Sequence, residues 1–159
     1  MLEAVRGGIV ELLKNAGINA AEAFEDKPLD SSVPQVTVEI AAMKITSSGM
    51  GNYIGLCSED GQIREMFGDS AEISLALDVY APENASKTCL EVADAVKSAL
   101  DASELVSVRR FETDRLSYDA DSRMLHLPCK ADCKAYLVRQ WRDGAVSEYE
   151  LSGEGIWRR

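Results

Sequence analysis

With 159 residues, 46% of them hydrophobic and 28% charged, the sequence has the size and balance of one globular domain, which argues against wholesale disorder. Its formal charge of -10, from 17 basic and 27 acidic residues, repels phosphate backbones and argues against sequence-independent nucleic-acid binding. No apolar run approaches the ~20 residues of a bilayer span, and Met1-Leu2-Glu3-Ala4-Val5-Arg6 lacks the basic-then-apolar order of a secretory signal, so a cytosolic chain with reduced thiols is expected.

Leu2–Ala16 reads as an amphipathic helix. Leu2, Val5, Ile9, Leu12, Leu13 and Ala16 recur at three- and four-residue spacing, and Gly17 follows where a left-handed cap would use it. Ala21–Phe24 reads as a short strand and Lys27–Pro34 as a loop. Val36, Val38 and Ile40 alternate with Thr37 and Glu39 as a half-buried strand, continued through Ala42, Met43 and Ile45. Ser47–Gly55 holds three glycines and is the most flexible-looking stretch. A hairpin of Tyr53–Cys57 and Gln62–Phe67 then turns at Glu59-Asp60-Gly61, Asp-Gly being a strong tight-turn signal.

Ala71–Tyr80 is the clearest strand, with Ile73, Leu75, Leu77 and Val79 on one face and Ser74, Ala76, Asp78 and Tyr80 on the other, ended by Pro82. A second helix is expected from Asn84 to Ala102, with Cys89, Val92, Ala93, Val96 and Leu100 as its apolar stripe. Leu105–Tyr118 and Met124–Gln140 predict a long hairpin around Asp119-Ala120-Asp121-Ser122. The segment from Trp141 to Arg159, with Gly153-Glu154-Gly155-Ile156-Trp157, is either a short edge strand or a mobile tail. One-sided helices and alternating strands predict a single α+β domain: one antiparallel sheet with both helices packed on one face.

Four cysteines occur, at 57, 89, 129 and 133, and Cys129-x3-Cys133 with His126 upstream has a zinc-like spacing. On a strand, however, residues four apart lie ~13 Å from each other and His126 points the opposite way, so no metal is expected. The glycine run from Gly49 to Gly55 lacks the Gly-Lys-Ser/Thr ending of a phosphate loop and has no helix after it, so no nucleotide cofactor is expected. Asp119 and Asp121 lack further ligands at calcium-loop spacing, and turn chemistry explains them. His126 has no orienting carboxylate or nucleophile that the sequence identifies, and no catalytic residue is assigned. Arg109-Arg110 and Trp157-Arg158-Arg159 are the short basic clusters, read as solvated charges.

Three stretches carry a family resemblance: the opening helix Leu2–Leu13, the proline-led strand Val33-Pro34-Gln35-Val36-Thr37-Val38, and Ile73–Pro82 followed by a helix. In this order the chain resembles the tail terminator and tail completion proteins of long-tailed bacteriophages and prophages. The resemblance is one of pattern over nearly the whole chain, with no invariant motif to transfer. It implies a structural protein, no enzyme. Such a subunit assembles as a ring, typically a hexamer, on the last disc of the tail tube. It ends tube growth and offers a docking surface to the head connector. The implied partners are further copies of itself, the tail tube protein and the head-tail connector, with no nucleic acid and no membrane. The implied location is the bacterial cytoplasm during assembly and then the head-proximal end of the virion tail. The segment Ser147–Arg159 extends beyond the compact pattern.

Within Ser47–Gly55, the residues Gly49, Met50, Gly51, Asn52, Tyr53 and Ile54 are the expected oligomer or tube contact: glycines leave the free loop mobile, and Met50, Tyr53 and Ile54 are apolar beyond a solvated loop's needs. Two other classes compete: a small-molecule or peptide binding module on the same sheet, which needs a concave apolar pocket, and an enzyme using His126 with Asp119 or Asp121.

Overall fold

The opening periodicity forms α1, Leu2–Asn15, which buries Val5, Ile9, Val10 and Leu13. It ends as the sequence predicts: Gly17 has φ +81°, its N–H donates to the Lys14 carbonyl (2.9 Å), and the Ile18 N–H donates to that of Leu13 (3.0 Å). The computed structural model describes residues 2–23, 29–85, 87–142 and 145–153. Phe24, Lys27, Pro28 and the basic tail at Trp157-Arg158-Arg159 lie outside the described residues.

β1, Ala20–Glu22, and β2, Gln35–Ser47, follow. They pair in parallel, Ala20 beside Val36 and Glu22 beside Val38, which corrects the expected all-antiparallel sheet. The link from Ala23 to Pro34 supplies about the dozen residues that a parallel return requires. β2 carries a bulge between Ile40 and Ala42. The extra residue shifts the alternation by one, so Met43 and Ile45 stay opposite Ile73 and Ala71, as Ile40 is opposite Leu75.

A single 3-10 turn, Met50–Asn52, leads to β3, Tyr53–Glu59. The expected connection Ser47–Gly55 is therefore shorter, because β2 runs to Ser47 and β3 already starts at Tyr53. Asp60 (φ +52°) and Gly61 (φ +75°) form the tight turn into β4, as Asp-Gly predicts. β4 is a 20-residue strand, Gln62–Ala81. The hairpin strand and the central strand, expected as separate elements, are one strand running through Gly68. A Cβ at residue 68 would lie 2.1 Å from the Leu137 carbonyl oxygen and 2.9 Å from the Ile54 Cδ1, so glycine permits an approach that would otherwise break the strand.

α2 spans Cys89–Asp101, starting later than the Asn84 expected. Thr88 is its N-cap: the Glu91 N–H donates to the Thr88 hydroxyl, and the Glu91 carboxylate accepts from the Thr88 N–H. β5, Ser107–Thr113, and β6, Ser117–Asp119, replace the single strand expected over Leu105–Tyr118. The break falls opposite Pro128 of β7, Met124–Arg142, because proline has no N–H to give a neighbouring strand. Its carbonyl instead accepts the Asp114 N–H at 2.8 Å. β8, Ala145–Ser152, pairs antiparallel with the end of β7, so the edge-strand alternative holds for this segment.

The described residues form an α+β structure of two helices and an eight-stranded, mostly antiparallel sheet, in the order β1-β2-β4-β7-β5. β3 flanks β4; β6 and β8 flank β7. Ile73, Leu75, Leu77 and Val79 of β4 join Leu127, Cys129, Ala131 and Cys133 of β7 in one buried cluster. The buried faces of α1 and α2 enter the same cluster. Helix and sheet thus satisfy each other's apolar sides in a single core.

Candidate assembly surface

Beyond the core, β4 loses its neighbours in turn. β2 leaves it at Asp69 and β7 at Gly68, so from Phe67 to Gln62 β3 alone among the described strands lies beside it. The hairpin of β3 and β4 is therefore an arm that projects from one end of the sheet. β7 extends from the same end past Val138, paired there, among the described strands, with β8 alone. At the root of the two arms, Ser48 Oγ donates to the Gly68 carbonyl (2.6 Å), and Arg139 Nη2 lies 3.8 Å from Asp69 Oδ1.

The first arm is unusually apolar for a two-stranded ribbon. Ile63 is 75% exposed and Met50 97%, with Leu56 and Tyr53 also exposed. Cross-strand pairing sets Leu56 beside Glu65 and Ser58 beside Ile63, which puts Leu56 and Ile63 on the same face. Cys57, opposite Arg64, takes the other face.

The six residues singled out in the sequence sit at the base of this arm. Gly49 (φ +136°), Gly51 (φ +66°) and Asn52 (φ +57°) shape the turn, and only Asn52 bears a side chain there. The Asn52 N–H donates to the Gly49 carbonyl (3.0 Å), and Ser47 Oγ bonds to both Gly49 and Asn52. Met50 points to solvent at the tip of this turn. Tyr53 meets Phe67 edge-on with ring centroids 5.8 Å apart, and Ile54 packs over Gly68. Sequence reasoning missed Leu56 and Ile63, the apolar display farther out on the arm. Their alternation with Cys57, Ser58 and Arg64 was visible, but nothing in it says that both sides lack a core.

A groove of about 590 Å³ lies between the first turn of α1 and the second half of β2. Leu2, Ile40, Met43 and Ile45 supply its apolar wall, with Arg6 and Glu39 at its rim. Among the described residues β1 covers the outer edge of β2 at Val36–Val38, continued by the Ala23 N–H to the Val38 carbonyl. From Glu39 to Ser47 the described residues give that edge no partner strand. The groove is therefore the continuation of the slot that β1 fills, under the same helix.

The titratable groups are engaged elsewhere. His126 Nε2 lies 2.8 Å from Asp78 Oδ1, and the imidazole stacks on Tyr80 with centroids 4.5 Å apart and rings 6° from parallel. Its carboxylate partner is thus Asp78, not Asp119 or Asp121. The sequence hid this pair because the register joining β4 to β7 spans distant parts of the chain. Burial, with the charges of Asp78 and Asp119, raises the Tyr80 phenol. The Asp119 carboxylate accepts the Ser122 hydroxyl (2.6 Å) and the Asp121 and Ser122 N–H groups (3.3 Å each), which with nearby His126 lowers its pKa. These are turn bonds that hold the reversal from Asp119 to Ser122.

Cys129 and Cys133 share the core face of β7, opposite Leu77 and Ile73. Burial pushes each thiol up to about 11, so both stay protonated rather than offering thiolates. Among the described residues no group of three or more His, Cys, Asp or Glu side chains is arranged to hold a metal. Arg110 reaches Glu112 (3.0 Å) and Asp132 (3.6 Å) on the sheet. No helix among the described residues is long and apolar enough to cross a membrane. Compared with known proteins, the chain matches no protein-family model and no curated protein.

Proposed function

We propose that this chain is a non-catalytic assembly subunit of the tail terminator kind, working as a ring on the end of a phage or prophage tail tube. In this reading both helices cover one face of the sheet, the ring (a hexamer in the family) stops tube growth, and its exposed side meets the head connector. The protein then acts at the head-proximal end of the tail. The observation that carries the reading is the projecting arm of β3 and β4. A chain with a well-filled core that still holds Met50, Leu56 and Ile63 in solvent has surface made to be covered by protein. The single core shared by α1, α2 and the sheet supports the helix placement. The charge of -10 supports protein partners over duplex DNA.

The test is the state of the purified chain with and without tail tubes built from the tube protein of the same genome. Tubes of uniform length capped by rings, seen by electron microscopy and matched by native mass, are expected. A chain that neither forms rings nor alters tube length overturns the proposal. The groove beside a strand edge that has no partner among the described residues favours a second reading, a module that takes up an extended peptide by strand addition. That reading predicts saturable binding of strand-forming peptides by a chain that stays monomeric.

A further inference from the structure

We infer that the β3–β4 arm of one copy adds to the Glu39–Ser47 edge of β2 in the next, which has no partner strand among the described residues, seating Leu56 and Ile63 in the groove under α1. This rests on the assembly reading and deepens it by naming the contact. The occupant is argued from four observations on one chain. First, the groove is a slot for a strand. β1 already fills its near end against Val36–Val38, and the wall beyond is Ile40, Met43 and Ile45 under Leu2. Second, β3 is a strand of seven residues paired, among the described residues, with β4 alone, so it has an edge to give, of a length suited to Glu39–Ser47. Third, the arm's apolar side chains at 50, 53, 56 and 63 expose on the order of 500 Å² together, comparable with the largest apolar patch a monomer usually carries. On the donor side this is part of the ~800 Å² per partner of a standard interface, to which the main-chain edge of β3 adds. Fourth, each chain carries charge -10, so long-range repulsion opposes association and short-range apolar burial must drive it.

Donor arm and acceptor groove are different patches, so the contact is head-to-tail and propagates to a third copy, closing a ring when the rotation allows. With Leu56 turned into the groove, Cys57 takes the other face of the added strand, where Ala42, Lys44 and Thr46 alternate with Met43 and Ile45.

Cys57 is the one half-exposed thiol, since Cys89, Cys129 and Cys133 are buried. The full chain carrying Lys44→Cys, with Ala42→Cys and Thr46→Cys for a shifted register, is therefore oxidised and run without reductant. A ladder extending past the dimer is expected at one of the three positions, absent in the parent and abolished by Cys57→Ser. Three outcomes overturn the inference: no bond at any position, a Cys57–Cys57 dimer in the parent, or a dimer of Lys44→Cys that persists with Cys57→Ser. Native mass of Leu56→Ser/Ile63→Glu separates the two levels of the argument. The variant should associate at least tenfold more weakly, while remaining folded by circular dichroism. Unweakened rings in this variant overturn the contact and leave the assembly reading standing. A parent that assembles neither alone nor on tubes removes both.

Discussion

The two ends of β4 are one strand put to opposite uses. From Ala71 to Ala81 every second side chain is buried, and β2 and β7 flank it on both edges. From Gln62 to Glu65 the side chains are exposed, and β3 is the partner. Both halves contain β-forming apolar residues, and both are regular strand. What differs is lateral company: burial follows from having neighbours on two edges and helices above, not from the strand's own composition. Gly68 marks the boundary, the point where the flanking strands part.

The largest expected effect tests the core end. Leu75→Ala removes a fully buried side chain and should cost about 3 kcal/mol, read from chemical denaturation. Gly68→Ala tests the boundary. Its Cβ would meet the Leu137 carbonyl, a backbone atom with little room to move, and a loss of about 2 kcal/mol is expected, with weakened hydrogen-exchange protection on both sides of residue 68. A cost below about 0.5 kcal/mol would show that the close approach at Gly68 constrains nothing.

The thiols give a third contrast. Cys129 and Cys133 have folded pKa values near 11 against 9.0 for the ordinary thiol. Their stabilising effect is fully present below pH 9 and is lost as pH rises toward 11, since the unfolded chain releases those protons first. Stability should therefore fall across that window. Below it, a thiol reagent should modify Cys57 on the arm rapidly and the three core cysteines only on unfolding. The smallest effect belongs to the arm: Ile63→Ser should change the stability of the isolated chain by less than about 0.5 kcal/mol, because its side chain is exposed in both states. A cost as large as that of Leu75→Ala would mean that the arm is core, and the comparison would fail.

These regions also divide what the sequence reveals. Periodicity marked both helices, Gly17 and Asp60-Gly61 marked two turns, and the alternation of Ile73, Leu75, Leu77 and Val79 marked the strand at the centre, all signals confined to a few residues. The capping box Thr88-x-x-Glu91 is equally local and legible, and it, not the Asn84 start expected, sets where the helix begins. Pro128 stands in plain view within Met124–Gln140, but its effect falls on the strand opposite, at Asp114–Leu116. The parallel β1, the continuity through Gly68 and the pair of His126 with Asp78 depend on which strands become neighbours. For the candidate surface, the sequence pointed to the arm's base at Met50, Tyr53 and Ile54. It could not show the display at Leu56 and Ile63, because exposure there results from β7 and β2 turning away.

The continuity of β4 has a kinetic consequence. A hairpin closed by a two-residue turn forms in roughly 1–10 μs, whereas pairings that close long loops come later. The Asp60-Gly61 turn sets the register of β3 against β4, and the same strand continues into the sheet. The arm is then an early template: once its ribbon forms, Gly68–Ala81 extends from it as a preset edge on which β2 and, later in the chain, β7 dock. The segment that adds least to the finished core would thus be among the first parts of the chain to find its shape.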